Sequence, residues 1–100
     1  MADVLTAALA ALREAEAALR ERGVTSLAVT GSVARGTARP DSDLDVVVDL
    51  DPSRPLGVLA LVDIRLCIES QVGRKVDVLE RRALRAELRG LVERDAVTVF

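Results

Sequence analysis

Gly31-Ser32-Val33-Ala34-Arg35-Gly36-Thr37-Ala38-Arg39-Pro40-Asp41-Ser42-Asp43-Leu44-Asp45 is a Gly-Ser turn followed, after a short spacer, by an Asp-x-Asp pair that opens an apolar run. Before it, Thr25 to Thr30 is short, apolar and bounded by Gly23 and Gly31, the pattern of a buried strand. Ser32 to Thr37 then reads as a short helix, and Pro40 ends it. After it, Asp43 to Leu50 alternates, with Leu44, Val46 and Val48 on one face and Asp43, Asp45, Val47 and Asp49 on the other, as in a strand. The turn offers backbone N–H groups at a helix start, where phosphate binds readily, and the carboxylates offer hard oxygen ligands of the kind magnesium takes. Phosphate and metal sites side by side point to a nucleotide.

The flanking sequence supplies the rest of a small domain. Leu5, Leu9, Leu12 and Leu19 recur at helical spacing, and Gly23 follows the charged end Arg20-Glu21-Arg22, so residues 3–22 are expected to form one helix. Beyond the turn residues 51–55, Leu61, Ile64, Ile68 and Val72, with Val62 and Leu66 beside them, predict a helix with a broad apolar stripe ending near Gly73. A strand over Lys75–Leu79, a helix over Arg82–Arg89 and a short strand over Ala96–Val99 complete the expectation. Helices alternating with strands imply a layered α/β (α+β) fold, a small mixed sheet packed against helices, with residues 1–100 as a single domain.

Composition narrows the chemistry. With no histidine, His-based triads, His general bases and most zinc sites are excluded, and carboxylates are left as metal ligands. The single aromatic, Phe100, provides no stacking platform, and 14 basic against 16 acidic residues provide no net basic field, so direct binding of long nucleic acid is not expected. Cys67, alone and inside an apolar helical pattern, is expected to be a buried, inert thiol. No stretch approaches a membrane span, and the start Met1-Ala2-Asp3 lacks the basic end and apolar block of a signal peptide, so a cytoplasmic protein is expected.

Residues two apart on a strand point the same way with Cα atoms about 6.5 to 7 Å apart, so Asp43 and Asp45 can converge on one cation. Asp77 alternates with Val76 and Val78, and on a neighbouring strand about 4.8 Å away it can be a third ligand. Three gathered carboxylates repel one another until a divalent metal removes that cost. Arg35 and Arg39 can equally bind phosphate, face a partner or remain solvated, and Lys75 can neutralise one acid. Arg13, Glu14, Arg20 and Glu21 read as a solvated helix face, and Asp49, Asp51 and Asp63 as surface charge. Leu88, Leu91, Val92, Val97, Val99 and Phe100 either complete the core or form a partner surface.

Gly31-Ser32, the Asp43-x-Asp45 pair preceded by Ser42, and Arg74-Lys75-Val76-Asp77-Val78-Leu79 together resemble the nucleotidyltransferase superfamily that includes polymerase-beta-like enzymes, and most closely its minimal nucleotidyltransferase (MNT) domains. The resemblance covers nearly the whole chain. It implies the nucleotidyltransferase fold, ATP with its triphosphate on Gly31 and Ser32, aided by Arg35 and Ser42, and two Mg2+ ions on Asp43, Asp45 and Asp77. Val33 stands where related domains often carry a basic residue, which leaves Arg35 as the substitute cation. The implied reaction moves a nucleoside monophosphate, most simply AMP, to an acceptor hydroxyl. Many such small proteins resemble antitoxins paired with a helical HEPN-type ribonuclease toxin, which implies AMPylation of a toxin tyrosine within a hetero-complex. The alternative is a non-catalytic nucleotide-binding module that neutralises its partner by occlusion.

Overall fold

The computed structural model describes residues 3–100. Asp3 sets the first boundary: its carboxylate accepts the Thr6 N–H at 2.7 Å, capping helix α1 (Val4–Glu14). The single helix expected over residues 3–22 is in fact two, because Ala15 leaves the helical path at φ −88°, ψ 0° and α2 (Glu16–Glu21) starts after it. The Ala15 N–H turns to the Leu12 carbonyl at 3.1 Å, a tightened last turn. Ala15 is itself buried, and the bend lets Leu12 and Leu19, both fully buried, reach one core.

Strand β1 (Val24–Thr30) runs into the short helix α3 (Gly31–Arg35), followed by β2 (Leu44–Leu50), α4 (Val58–Val72) and β3 (Val76–Glu80). The sheet order is β3-β2-β1 with the last strand, β4 (Val97–Thr98), on the far edge of β1. β1 is antiparallel to β2 and to β4, whereas β2 and β3 are parallel and joined across α4, the crossover that parallel neighbours require. Leu44, Val46, Val48 and Val76 bury one face of the sheet against Leu12, Leu19, Ile64 and Ile68 of α1, α2 and α4. The partners Ala28 and Val47 are buried too, yet lie outside that cluster, on the opposite face. No helix among the described residues is long and apolar enough to cross a membrane.

Boundaries shift where local signals are weak. β2 starts at Leu44, which leaves Asp43 in the loop before it, and β3 covers Val76–Glu80 rather than Lys75–Leu79. The helix expected over Arg82–Arg89 is replaced by a 3-10 turn at Arg81–Ala83 and by α5 (Ala86–Asp95), because Leu84 and Arg85 are extended, at ψ 139° and 153°. β4 is only two residues long, but the Val99 N–H reaches the Leu27 carbonyl at 2.8 Å and the Leu27 N–H reaches the Phe100 carbonyl at 3.0 Å, continuing its pairing. Val99 and Phe100 pack against the core, with the Arg20 guanidinium 4.7 Å above the Phe100 ring, whereas Leu88 and Leu91 on α5 are each 50% exposed. Cys67 is half-buried against the core rather than enclosed, since it sits at the edge of the α4 stripe between Ile64 and Ile68.

Candidate active site

Sheet register decides which acids meet. Asp45 on β2 and Asp77 on β3 are Cα partners in the parallel ladder, and on its other side Asp45 pairs with Thr30, the last residue of β1. Asp43 lies just before β2. The row Thr30, Asp45, Asp77 therefore crosses three strands at the point where β1 turns into α3.

Asp45 is half-buried, whereas Asp43 and Asp77 are exposed. Burial raises the Asp45 pKa above the ordinary carboxylate value, and the neighbouring charges of Asp77 and Asp43 raise it further, with Arg35 opposing them. The three acids thus lie within electrostatic reach of one another. Among the described residues none of the three is in an ion pair, and Lys75 neutralises none of them. Asp49, four residues further along β2, is the contrast. Read from sequence as surface charge, it is gripped through both carboxylate oxygens by Arg81 Nε at 3.1 Å, accepts from the Ser26 hydroxyl, and shares Arg81 with Glu93. One acid of the strand is held in an ion pair within the protein and the other is not.

As donors the three carboxylates suit a hard divalent cation. Among the described residues they do not stand as a closed ligand cage, and a cation would be held by all three only if the exposed Asp43 and Asp77 side chains closed on it together with Asp45. The raised pKa has a consequence without any metal. A folded-state pKa above 3.8 means that the stabilising contribution of Asp45 is complete below pH 3.8 and is lost as pH rises through the raised value. In metal-free buffer at pH 7, Asp45→Asn is therefore expected to melt at or above the wild-type temperature, by on the order of one or two degrees, with the advantage gone near pH 3. A marked drop at pH 7 would make Asp45 a structural residue.

Gly31 explains why Asp45 fits. Its φ is +72°, and a Cβ there would run into the Asp45 carboxylate, so the glycine supplies both the left-handed turn and the space. α3 begins at Gly31 rather than Ser32, and Thr30 occupies the N-cap position without capping, its hydroxyl directed to the Val92 carbonyl at 3.5 Å. The Ser32 and Val33 N–H groups accordingly have no acceptor among the described residues. The Val33 side chain is buried in the core and cannot contact a phosphate. Arg35 instead lies beside the site, its Nη1 3.0 Å from Asp95 of α5. A hollow of about 140 Å3 is lined by Gly31, Arg35 and Asp45 together with Leu79, Leu91 and Asp95. Ser42 is not brought into it. Its hydroxyl accepts the Arg39 N–H at 2.8 Å and its carbonyl accepts Arg74 at 3.0 Å, shaping the loop that delivers Asp43, while Arg39 stays exposed. A larger hollow of about 230 Å3, lined by Asp3, Val72 and Arg74, lies apart from the acids and carries no comparable chemistry. Asp95 was not visible from sequence, because nothing local marks a contact 60 residues from Arg35.

Residues 12–98 match the family model described as the nucleotidyltransferase domain. The chain belongs to that nucleotidyltransferase family. Among curated relatives, protein adenylyltransferase MntA of Thermococcus cleftensis is 35% identical over 82 residues, 81% of each chain. Among solved structures, a candidate minimal nucleotidyltransferase is 38% identical, with a TM-score of 0.78 over 97% of this chain and 96% of its own. A complex described as tri-AMPylated Shewanella oneidensis HEPN toxin with its MNT antitoxin, at 16% identity, shares the fold alone, with a TM-score of 0.63 over 88% of this chain and 68% of that one. This nucleotidyltransferase thus carries its acids on a scaffold common to that group.

Proposed function

We propose that this nucleotidyltransferase is a magnesium-dependent protein adenylyltransferase that moves AMP from ATP to a hydroxyl of a partner protein, a HEPN-type toxin whose tyrosine it modifies as antitoxin. The observation that carries the reading is the in-register pair Asp45–Asp77 with Asp43 beside it, none of the three in an ion pair among the described residues and only Arg35 opposing their mutual repulsion at Asp45. The MntA relative and the AMPylated HEPN complex support the choice of AMP and of a toxin as acceptor.

Asp43, Asp45 and Asp77 would hold two Mg2+ ions, which when bound neutralise charge on the reacting phosphates. The Gly31–Ser32 turn presents N–H groups to the triphosphate, Arg35 adds a cation, and Ser42 keeps the preceding loop in shape. Asp77, exposed at the rim, accepts the proton of the acceptor hydroxyl. The acceptor oxygen forms a bond to the α-phosphorus, the bond from that phosphorus to the bridging oxygen breaks, and pyrophosphate departs.

An apolar approach supports a protein acceptor. Val58 and Leu59 of α4 are 76% and 85% exposed, and a hollow of about 220 Å3 joins Val58 and Val62 to Asp77. The test is transfer of label from ATP labelled at its α-phosphate to a co-expressed HEPN-type protein. Val58→Asp with Leu59→Asp is expected to lower that transfer at least about tenfold while leaving the melting-temperature rise caused by Mg2+ and ATP unchanged. The same face favours a second reading, neutralisation by occlusion, which gains if a toxin stays silenced by Asp45→Asn and no label moves.

A further inference from the structure

We infer that Asp95 is a positioning residue for the nucleotide, acting through Arg35. The inference rests on the reading above, that the Gly31–Asp45 side of the sheet holds a triphosphate.

Asp95 is the last residue of α5, where a carboxylate meets the negative end of the helix dipole, and its side chain is only 14% exposed. An acid in that place needs a cation. Arg35 provides it from the last position of α3, with Nη1 3.0 Å from Oδ2, while the more exposed Arg94 approaches the other oxygen at 3.5 Å. The exchange fixes Arg35 as much as it settles Asp95. A free arginine has many rotamers to lose, and the Arg35 side chain, 48% exposed, is in no other ion pair among the described residues. Held by Asp95, its guanidinium lines the same hollow as Gly31 and Asp45. A guanidinium has five N–H donors, and Asp95 engages Nη1 alone, so others are left for phosphate oxygens. α5 buries no residue fully, and this pair links it to α3.

The test is affinity for two probes, AMP-PNP and inorganic tripolyphosphate, with melting temperature recorded on the same samples. Arg35→Ala is expected to weaken both probes about tenfold and Asp95→Asn about fivefold, and the double variant is expected to bind no worse than Arg35→Ala, because the two residues act as one unit. Asp95→Glu keeps the charge at the helix end but shifts it by a methylene, and is expected to fold as wild type and weaken both probes about twofold. Additive losses in the double variant, unchanged affinity in Asp95→Asn, or tighter binding on release of Arg35 would each overturn the inference. So would failure of Asp95→Asn to fold together with wild-type affinity in Asp95→Glu, which would leave Asp95 a purely structural residue. If wild type itself binds neither probe, the triphosphate site is wrong and the inference falls with it; loss of the inference alone requires a wild type that binds.

Discussion

Asp45→Asn is expected to lower AMP transfer at least about a thousandfold, because a divalent-cation clamp on the reacting phosphates is worth several kcal/mol and each 1.36 kcal/mol is a factor of ten. Asp43→Asn and Asp77→Asn should fall in the same range. The expectation follows from placement rather than from acidity alone, and Asp49 provides the control. Asp45 and Asp49 share a strand and a face, but Asp49 already has Arg81 and Ser26, whereas Asp45 has acids on two sides. Asp49→Asn should therefore leave transfer within about threefold of wild type and cost about 1 kcal/mol of stability through the loosened Arg81 contact. Steady-state kcat/KM beside thermal melts separates the two: activity lost with stability kept at position 45, stability lost with activity kept at position 49. Asp45→Asn retaining more than about a tenth of wild-type transfer would defeat the assignment of the acidic cluster.

How much of this was legible in the sequence depends on the range of the interaction involved. The alternation Leu44, Asp45, Val46 is a local signal with period two, and it set the faces of β2 correctly because one face had to be buried. The order of acids and turn was legible for the same reason, since Gly31 closes one apolar strand and Asp45 lies at the start of the next. The break at Ala15 was not, because alanine is the best helix former and only the curvature of the core, with Leu12 on one side and Leu19 on the other, bends the chain there. α5 was misplaced because Leu84 and Arg85 turn extended and delay its start to Ala86, a break that no Gly or Pro marks in the sequence. The partners of Asp49 and Asp95 lie 32 and 60 residues away, so Asp49 read as surface charge and Asp95 drew no reading until the fold brought Arg81 and Arg35 to them. Asp77 was legible as an alternating acid, but its meeting with Asp45 needed the parallel register across α4.

Gly31→Ala is the substitution for which backbone and site fail together. An L-residue in the left-handed region costs about 1–2 kcal/mol, and at φ +72° that cost applies in full. The added methyl also occupies the space of the Asp45 carboxylate, so the carboxylate has to rotate away from the turn or the turn has to open. Gly36 isolates the first effect, since its φ is +78° but no atom lies near a Cβ built there. Gly36→Ala should lower the melting temperature by about 4–8 °C, the shift that 1 kcal/mol produces in a chain of this size, and keep transfer near wild type. Gly31→Ala should lose more stability than that and, with Asp45 displaced, at least about a hundredfold in transfer. Relief of the overlap by Gly31→Ala combined with Asp45→Gly should recover part of the melting temperature and none of the activity, which ties the stability loss to the carboxylate itself. Near-equal activity of Gly31→Ala and Gly36→Ala would mean that the turn tolerates a side chain and that its glycine serves the backbone only.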